Sequence, residues 1–577
     1  MNCDIVIMPP KPLPWVNISS YMKYCKLLSF IAFLSIGCNE KPQDQIVQSD
    51  SPTSFSWDNA IIYFMMTDRF YDSDSSNNFE HTADNLPAPY RGYMGGDISG
   101  ITSKIRSGYF TNLGVNAIWM TPVVEQIKGS VDEGTGNSFG FHGYWTRDWT
   151  AIDPKFGTKE DLKELVEVAH DHGIRILIDV VANHTGPVTP LDSQWPSDWV
   201  KTGPTCTYTS AESTINCTLV KNLPDIRTES DKEVRLPDYL IEKWKDEGRY
   251  DRELQELEDW FATTGYPRTP VNYILKWLVD FIKEFGVDGY RVDTVKHTEE
   301  DVWERLWEQA RKAYEDYKKE HSDKVYDQNQ EFYMMGEVYN YFISGGRDYD
   351  YGDQKVDFFA SGFRSLINFD FKGDADKSYE EIFSKYDSLL YGALAGKTIV
   401  NYISSHDDGG PFDKERKRSF EAATKLLLCP GGAQIYYGDE TARSLSVEAK
   451  GDATLRSFMN WDELADDIPI HGKSRHDILR HWQKLGTFRR DNPAVGAGRH
   501  KVISSDPYVF QRTWEEGNNK TVIGLDLPTG SKKIPVGEVF AEAEKVKDYY
   551  SSVVVSVSDG YIEIDTPYDI VLLSVAR

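Results

Sequence analysis

Four short segments of the chain carry polar side chains of the kinds that perform acid–base chemistry. They are residues 179–184, 289–293, 336–338 and 404–407, and they contain carboxyl, guanidinium and imidazole groups. Taken singly, an acidic residue at the end of a strand usually caps a helix or faces solvent, and the chain holds 91 acidic residues. The grouping of all four segments is therefore the signal, rather than any one residue.

The elements around these segments indicate how they come together. A capped helical pattern over 158–173 precedes an apolar strand over 174–181, and a helix over 269–286 precedes a strand over 287–292. Further strand-like runs lie at 61–66, 117–120, 332–335, 398–403 and 433–437. Strands that alternate with helices form parallel units, and this many predict an α/β fold, a closed (β/α)8 TIM barrel. Chemistry in such a barrel lies where the strands end, so the four segments should meet at one face.

The remaining patterns divide the chain into parts. A stretch rich in Pro, Ser and Asp is too large for a loop and predicts a domain inserted after the third strand. Near the end, short alternating runs at 508–513, 520–525, 551–557, 561–564 and 569–575 predict a C-terminal all-β sandwich. The predicted parts are a leader (1–38), a linker (39–57), the barrel (58–184 and 266–490), an inserted domain B (185–265) and the sandwich (491–577).

The N-terminal residues have the pattern of an export signal. Lys23 and Lys26 precede an apolar run over 27–36 that is too short to span a bilayer and that ends just before Cys38. This arrangement resembles a bacterial lipoprotein signal with Cys38 as the lipidated residue. We expect an exported, lipid-anchored protein of the cell envelope; a secreted or periplasmic protein is the alternative.

The charge balance limits the partners. The formal net charge is −27, and no basic stripe offsets it. Nucleic acid is therefore excluded as an expected partner, because an acidic surface repels phosphate. Membrane contact is expected only through the lipid anchor, and the protein is expected to be a monomer.

Together and in this order, the four segments resemble the short conserved regions of the α-amylase family of glycoside hydrolases (family 13). Other segments resemble the same family, at 95–101, 142–145, 152–158, 223–226 and 435–440. The resemblance extends over about residues 60–460. It implies a retaining glycoside hydrolase that acts on α-glucan polysaccharide or maltooligosaccharides, closest to calcium-dependent bacterial α-amylases.

The resemblance assigns the two carboxyl groups that a retaining hydrolase holds about 5–5.5 Å apart. Asp293 is the expected nucleophile, and Glu337 is the expected acid/base. Arg291 lies two residues before Asp293 on the same strand, so both side chains face one side and the guanidinium can keep the nucleophile ionised. Asp407 is the third catalytic residue, expected to bind sugar hydroxyls and to raise the pKa of Glu337 by its charge.

The same resemblance assigns the groups that hold the sugars. An aromatic ring should stack on the glucose at the cleavage point, two histidines should donate hydrogen bonds in the transition state, and an acid–base pair should grip the adjoining glucose. The corresponding residues are Tyr144, His184, His406, Asp452 and Arg456.

Other positions bear on specificity. Lys296 and His297, expected to contact substrate, resemble the pair in α-amylases and cyclodextrin-forming transferases more than that in α-glucosidases. Ser405 stands where the family usually has Asn, which leaves fine specificity open. Transferases usually carry further C-terminal domains, for which a chain ending at Arg577 has no room, so a hydrolase is favoured.

The predicted function is that of an endo-acting α-amylase, which hydrolyses α-1,4-glucosidic bonds of starch, glycogen or maltodextrins. One alternative is a cyclodextrin-hydrolysing or neopullulanase-type enzyme, or a glucanotransferase, of the same family. The second alternative is a starch-binding surface lipoprotein without catalysis, since 15 Trp and 33 Tyr offer faces on which sugars could stack.

The cysteines predict one disulfide. Cys206 and Cys217 lie close together in a stretch rich in Thr and Ser, and an exported chain could close them into a small loop. Cys429, between Leu and Pro, is predicted to be a buried free thiol.

The resemblance also implies two calcium sites built from oxygen donors. In the first, Asn183, Asp225 and the backbone carbonyl of His297 would tie the inserted domain to the barrel. The second resembles a calcium loop of cyclodextrin-forming transferases and some bacterial amylases; a plain polar loop is the alternative, because turns favour the same residues. Its expected ligands are Asp72, Asp74, Asn77, Asn78, Gly95 and Asp97.

Overall fold

A closed barrel of parallel strands forms the centre of the computed structural model, which describes residues 55–132, 134–322, 327–514 and 518–576. Each strand pairs with its neighbours in chain order, and the last pairs with the first. The predicted TIM barrel is confirmed. Its strands are β1 (Ile61–Met65), β2 (Ala117–Met120), β3 (Arg175–Val180), β4 (Gly289–Val292), β5 (Tyr333–Gly336), β6 (Ser365–Asn368), β7 (Thr398–Asn401) and β8 (Gly432–Tyr436).

The two helices that the sequence predicts begin and end close to the predicted residues. Thr158 and Asp161 form a reciprocal capping box at one helix, and Pro270 opens another whose end is marked by Gly286 at φ 70°. Glycine adopts this left-handed backbone without strain, which ends the helix and turns the chain into β4. The longer helices are α1 (Ile98–Arg106), α2 (Lys159–Asp171), α3 (Asp238–Asp246), α4 (Tyr250–Thr264), α5 (Pro270–Phe285), α6 (Glu300–Glu320), α7 (Tyr379–Leu390), α8 (Ser419–Leu428) and α9 (Arg475–Asp491).

Strand β6 is the barrel strand that the apolar pattern does not predict. Its four residues are all buried, although Ser365 and Asn368 at its two ends are polar. Asn368 Nδ2 donates to Asn401 Oδ1 at 2.9 Å, and Ser365 shares a hydrogen bond with the Tyr333 hydroxyl. Because these polar groups find partners inside the protein, the strand can be buried without an apolar run.

The predicted insertion contains short strands and helices. Strands Val200–Lys201 and Asp225–Ile226 pair antiparallel, and helices α3 and α4 follow them. A disulfide joins Cys206 and Cys217, as predicted, and Cys429 is a buried free thiol. Lys276 on α5 forms an ion pair with Glu256 on α4 at 2.8 Å, so the end of this segment packs on a barrel helix.

The C-terminal part is all β, as predicted, with its own apolar core. Its strands are β9 (Arg499–Ser505), β10 (Tyr508–Trp514), β11 (Asn519–Leu525), β12 (Gly530–Pro535), β13 (Lys545–Asp548), β14 (Val554–Ser556), β15 (Tyr561–Thr566) and β16 (Val571–Val575). One sheet has the order β9-β10-β11-β16-β13-β14, and β12 pairs with β15. The largely polar strands β9, β12 and β13 are those that the alternating runs did not predict.

The predicted leader and its Cys38 lie outside the described residues. Within the ranges given above, no helix combines the length and apolar character needed to cross a bilayer.

Candidate active site

The four predicted segments meet at the carboxyl ends of the barrel strands. Asp179 and Arg291 are neighbours in the paired strands β3 and β4. Asp293 and Glu337 each follow a strand directly, and their backbone N–H groups continue the ladder by donating to Val180 O and Val292 O at 3.0 and 2.9 Å. The backbone thus fixes the point from which each carboxyl side chain extends.

Arg291 is the cation at the centre of the site, and it is almost fully buried. Its Nη1 contacts Asp293 Oδ1 at 2.6 Å and Asp179 Oδ1 at 3.0 Å, while Nη2 lies 3.9 Å from Glu337 Oε2. A guanidinium remains charged and has donors in a fixed planar arrangement, so it orients these carboxyl groups relative to one another.

Glu337 is set up as a proton donor. Burial raises the pKa of its carboxyl to about 8; Arg291 opposes this rise, and the charges of Asp293 and Asp407 add to it. Its Oε2 accepts a hydrogen bond from Thr294 N at 2.9 Å. The sequence predicts that neighbouring negative charge and partial burial raise this pKa together, and in the structure burial is the larger cause.

Asp407 follows β7 and is more open than the other two acids, with 40% of its side chain exposed. Ser405 Oγ donates to its Oδ1 at 3.0 Å, and His406 Nε2 lies 3.7 Å from its Oδ2. The Ser at position 405 therefore orients the acid. The exposure leaves Asp407 accessible to a ligand in the opening.

Tyr144, His184 and His406 lie together on one side of the candidate active site. The Tyr144 hydroxyl donates to Asp179 Oδ2 at 2.7 Å, and its ring stacks on His406 with centroids 5.3 Å apart. Burial lowers the pKa of His406 to about 4 and also lowers that of His184, so both rings are neutral at neutral pH. His184 Nε2 donates to Tyr144 O at 3.2 Å. The Nδ1 atoms of both histidines are buried without a hydrogen-bond partner among the described residues.

Asp452 and Arg456 form an ion pair at 2.7 Å, and Arg91 contacts the same carboxylate at 2.7 Å. Burial opposes ionisation of Asp452, but Arg456 and Arg91 lower its pKa to about 2. Arg456 Nε also donates to His406 O at 2.8 Å, so the Asp452–Arg456 pair is connected to the side of the site that holds the histidines. The sequence predicted the pair but not Arg91, which lies far away in the chain.

The side chains of Lys296 and His297 are held by the protein. Lys296 Nζ donates to Tyr339 O at 3.2 Å and to the Tyr349 hydroxyl at 3.1 Å. His297 Nδ1 lies 2.8 Å from Thr214 O in the predicted insertion. Both are buried. The Lys296 Nζ and His297 Nδ1 atoms are therefore already partnered within the protein.

The first predicted calcium site does not have the surroundings of a divalent ion. Asn183 and Asp225 lie together, with Asn183 Nδ2 donating to Asp225 Oδ1 at 2.6 Å. However, the Lys201 ammonium stands 3.4 Å from Asp225 Oδ2. A positive side chain beside the main carboxylate ligand repels a metal ion, so these residues do not fit calcium.

The second predicted site fits calcium better. Asn77 Oδ1 is buried and accepts no hydrogen bond from the described residues, and a Cβ on Gly95 would collide with Asn78 Oδ1. Asn78 Nδ2 donates to Asp72 Oδ2 at 2.8 Å. Asp97 is engaged with the backbone at the start of α1, and Asp74 caps Ser76. The loop thus brings the Asn78 amide, which is bonded to the Asp72 carboxylate, close to Gly95, and the adjacent Asn77 carries an unpartnered amide oxygen.

Asp179 and Lys201 are the functional candidates that the sequence interpretation missed. Asp179 accepts from Arg291, Tyr144 and Trp119 Nε1, the last at 3.0 Å, and burial raises its pKa to about 6. It lies in one of the four segments, and an acid inside an apolar strand was the available signal. Lys201 gave no such signal, since its partners come from other parts of the chain.

Comparison with known proteins agrees with this geometry. The family described as "Alpha amylase, catalytic domain" matches residues 64–466. The periplasmic α-amylase of Escherichia coli (strain K12) is 32% identical over 537 residues, covering 82% of this chain and 73% of that protein. A cyclomaltodextrin glucanotransferase of Bacillus licheniformis is 28% identical, and the match covers 82% of this chain but 60% of that protein.

Solved structures agree on the fold. The α-amylase of Geobacillus thermoleovorans, determined in complex with acarbose, superposes with a TM-score of 0.62 at 20% identity, covering 91% of this chain and all of that one. At this identity the likeness supports the fold alone. The family match, which takes in the barrel and all four segments, identifies the chain as a member of the α-amylase family of glycoside hydrolases.

Proposed function

We propose that the protein is an endo-acting α-amylase that hydrolyses α-1,4-glucosidic bonds of starch, glycogen or maltodextrins with retention of configuration. The observation that carries the proposal is the buried Arg291, which contacts Asp293 directly and also reaches Glu337, whose pKa is raised to about 8. One carboxyl group held by the guanidinium as a nucleophile and a second that keeps its proton are the two groups that a double displacement needs.

The first step in this proposal forms a covalent intermediate. The Asp293 carboxylate attacks the anomeric carbon while the bond from that carbon to the leaving glucosyl oxygen breaks. Glu337 gives its proton to that oxygen, so the departing chain leaves as an alcohol. Arg291 orients Asp293 for this attack through the 2.6 Å contact to Oδ1.

In the second step a water molecule attacks the same carbon, and the ester bond to Asp293 breaks. Glu337, now ionised, accepts the water proton and is ready for the next cycle. Two inversions leave the product in the α configuration.

The surrounding groups are proposed to hold the sugar. Asp407, open to the cleft, accepts from sugar hydroxyls, and the Tyr144 ring stacks on the glucose at the cleavage point. The neutral imidazole rings of His184 and His406 are proposed to contact the sugar at the cleavage point. Asp452 and Arg456 bind the adjoining glucose, while Lys296 and His297 bind beyond the cleavage point.

Two alternatives remain candidates. The glucanotransferase relative supports a transferase or cyclodextrin-hydrolysing specificity, since such enzymes would use the same two carboxyl groups. A starch-binding lipoprotein without catalysis has no use for a proton donor with the raised pKa of Glu337.

Products formed early from amylose separate these functions. An α-amylase gives a mixture of linear maltooligosaccharides while the mean chain length falls quickly. Cyclodextrins as the main early product would identify a transferase, and rapid turnover of cyclodextrins with little attack on amylose would identify a cyclodextrin-hydrolysing enzyme. Binding of amylose with no product would identify a binding protein.

Location and metal content complete the proposal. The Escherichia coli relative is named a periplasmic α-amylase, which supports export of this chain too. We propose a monomer anchored by lipid at Cys38, with the domain boundaries given by the sequence. One calcium ion would be held by the loop of Asp72, Asn77, Asn78 and Gly95, where its charge would stabilise the turn before α1.

A further inference from the structure

Lys201 lies where the predicted insertion meets the barrel. Strands Val200–Lys201 and Asp225–Ile226 pair so that Lys201 stands directly opposite Asp225. The backbone of Asp225 also forms an isolated antiparallel β-bridge with His184, just beyond β3. The insertion therefore meets the residues just beyond β3 through Asp225, and Lys201 pairs with Asp225 from within the insertion.

The ammonium group occupies an enclosed, oxygen-rich place. Lys201 Nζ donates to Ile215 O at 3.2 Å, and it lies 3.4 Å from both Asp225 Oδ2 and Glu229 Oε2. Only 8% of the lysine side chain is exposed, against 2% for Asp225. On the other side of the carboxylate, Asn183 Nδ2 donates to Asp225 Oδ1 at 2.6 Å. Asp225 Oδ1 thus accepts from an amide, whereas Oδ2 makes no hydrogen bond with the described residues and has the Lys201 ammonium as its nearby charge.

These contacts leave no suitable position for a second cation. Calcium binds oxygen ligands at about 2.3–2.6 Å, so an ion on Asp225 Oδ2 would lie within a few ångströms of Nζ. Two positive charges so close in a buried setting repel strongly. Moreover, Asn183 presents its amide nitrogen to Asp225, and its Oδ1 is the acceptor for Thr298 Oγ1 at 3.5 Å.

We propose that the Lys201 ammonium takes the place of a metal ion at Asn183 and Asp225, so that a cation belonging to the chain itself faces the carboxylate through which the insertion contacts Asn183. Calcium is then not needed at this position. This inference concerns stability and metal content, and it does not depend on which glucan the enzyme hydrolyses.

The test uses the full chain with the other candidate calcium site removed by Asp72→Ala and Asp74→Ala. In this parent, calcium is measured by elemental analysis after dialysis against calcium, and the Tm is measured in calcium and in chelator. We expect well under one calcium per chain and the same Tm in both solutions. Lys201→Ala in this parent should lower the Tm in chelator by about 3–10 °C, because it leaves a buried carboxylate unpaired.

Calcium should then restore part of the Tm lost in Lys201→Ala, and the calcium content should rise towards one per chain, because the place of the ammonium is open to an ion. Lys276→Ala is the matched control. Lys276 is also buried and paired with two carboxylates, Glu256 at 2.8 Å and Asp280 at 2.7 Å. Its loss should lower the Tm without any recovery in calcium.

Two results would overturn the proposal. One is about one tightly held calcium in the parent with Lys201 intact, together with a Tm that falls in chelator. The other is a Lys201→Ala variant that melts in chelator at the same temperature as the parent. The metal analysis of the parent decides the first point even if Lys201→Ala does not fold.

Discussion

Burial and one shared cation determine how the carboxyl groups of the active site behave. Arg291 contacts Asp293 and Asp179 at hydrogen-bond distance, and Glu337 lies at the edge of its reach. Burial raises the pKa of Glu337, the carboxyl farther from the guanidinium, to about 8, whereas Asp293 is in direct contact with Arg291. The different roles proposed for Asp293 and Glu337 follow from this difference in position.

Asp293→Asn and Glu337→Gln should each lower kcat by at least about 10²-fold, because each removes one half of the double displacement. The fold should remain, since both changes are nearly isosteric. Activity on starch and thermal melting check the two statements. Asp301→Asn, on the exposed side of α6, is the matched control and should change neither. Near-normal turnover in either active-site variant would refute the assignment.

The pH dependence should show Glu337 as the acid. Its pKa is raised from an ordinary 4.5 to about 8, chiefly by burial, so the proton is present at neutral pH and is lost as the pH rises through about 8. We therefore expect kcat/KM to fall on the alkaline side near pH 8. A fall centred near pH 4–5 would mean that this carboxyl is not held protonated.

The same shift has a consequence for stability. Between pH 4.5 and about 8 the folded protein binds a proton at Glu337 that the unfolded chain releases, so the free energy of unfolding contributed by this group decreases as the pH rises through that window. Glu337→Gln should remove this contribution. Melting curves from pH 5 to 9 should show a smaller decrease of Tm for the variant than for the original protein.

At the scale of elements, the sequence predicts what local pattern encodes. Strands made of continuous apolar residues, such as β3, and helices with caps at both ends, such as α2, are found where predicted. Strand β6 was missed because Asn368 and Ser365 are polar and find partners in other parts of the chain, including Asn401 and Tyr333 on other strands. These hydrogen bonds form only in the assembled barrel, so the local sequence does not predict them.

The same distinction applies to the site. Asp293, Glu337 and Asp407 lie in short segments with a characteristic order, so the sequence alone predicts that they share one site. Arg91 and Lys201 act through partners far away in the chain, Asp452 and Asp225, and only the fold reveals them.

The disulfide should stabilise the predicted insertion rather than the barrel. Cys206→Ser with Cys217→Ser should lower the free energy of unfolding by about 2–3 kcal/mol, as expected for the loss of a short closed loop. Hydrogen exchange should rise in the segment around Thr214, which holds His297, and change little in β4. Alkylation of both cysteines in protein isolated under oxidising conditions would contradict the bond.

The loop before α1 should account for any stabilisation by calcium. Binding to the folded state alone raises the free energy of unfolding by about 2.7 kcal/mol when calcium is at 100 times its Kd. Chelator should lower the Tm of the original protein, and Asp72→Ala with Asp74→Ala should remove this response. An unchanged response in that double variant would show that the ion lies elsewhere.

At the scale of the whole molecule, the C-terminal strands are joined to the barrel by buried arginines. Arg489 on α9 donates to Leu427 O at 2.9 Å and to Asn59 O at 3.0 Å, and Arg512 on β10 donates to Leu428 O at 3.2 Å. Backbone carbonyls at the end of α8 thus accept from both parts. The face with the active site lies at the carboxyl ends of the strands, so these contacts can support the barrel without entering the site.

The configuration of the first product tests the central claim most directly. Proton NMR during the first minutes of maltooligosaccharide hydrolysis, before mutarotation, distinguishes the two anomers of the new reducing end. A double displacement through Asp293 and Glu337 predicts the α anomer. A β anomer as the first product would mean a single displacement by water, and it would contradict the roles given to both carboxyl groups.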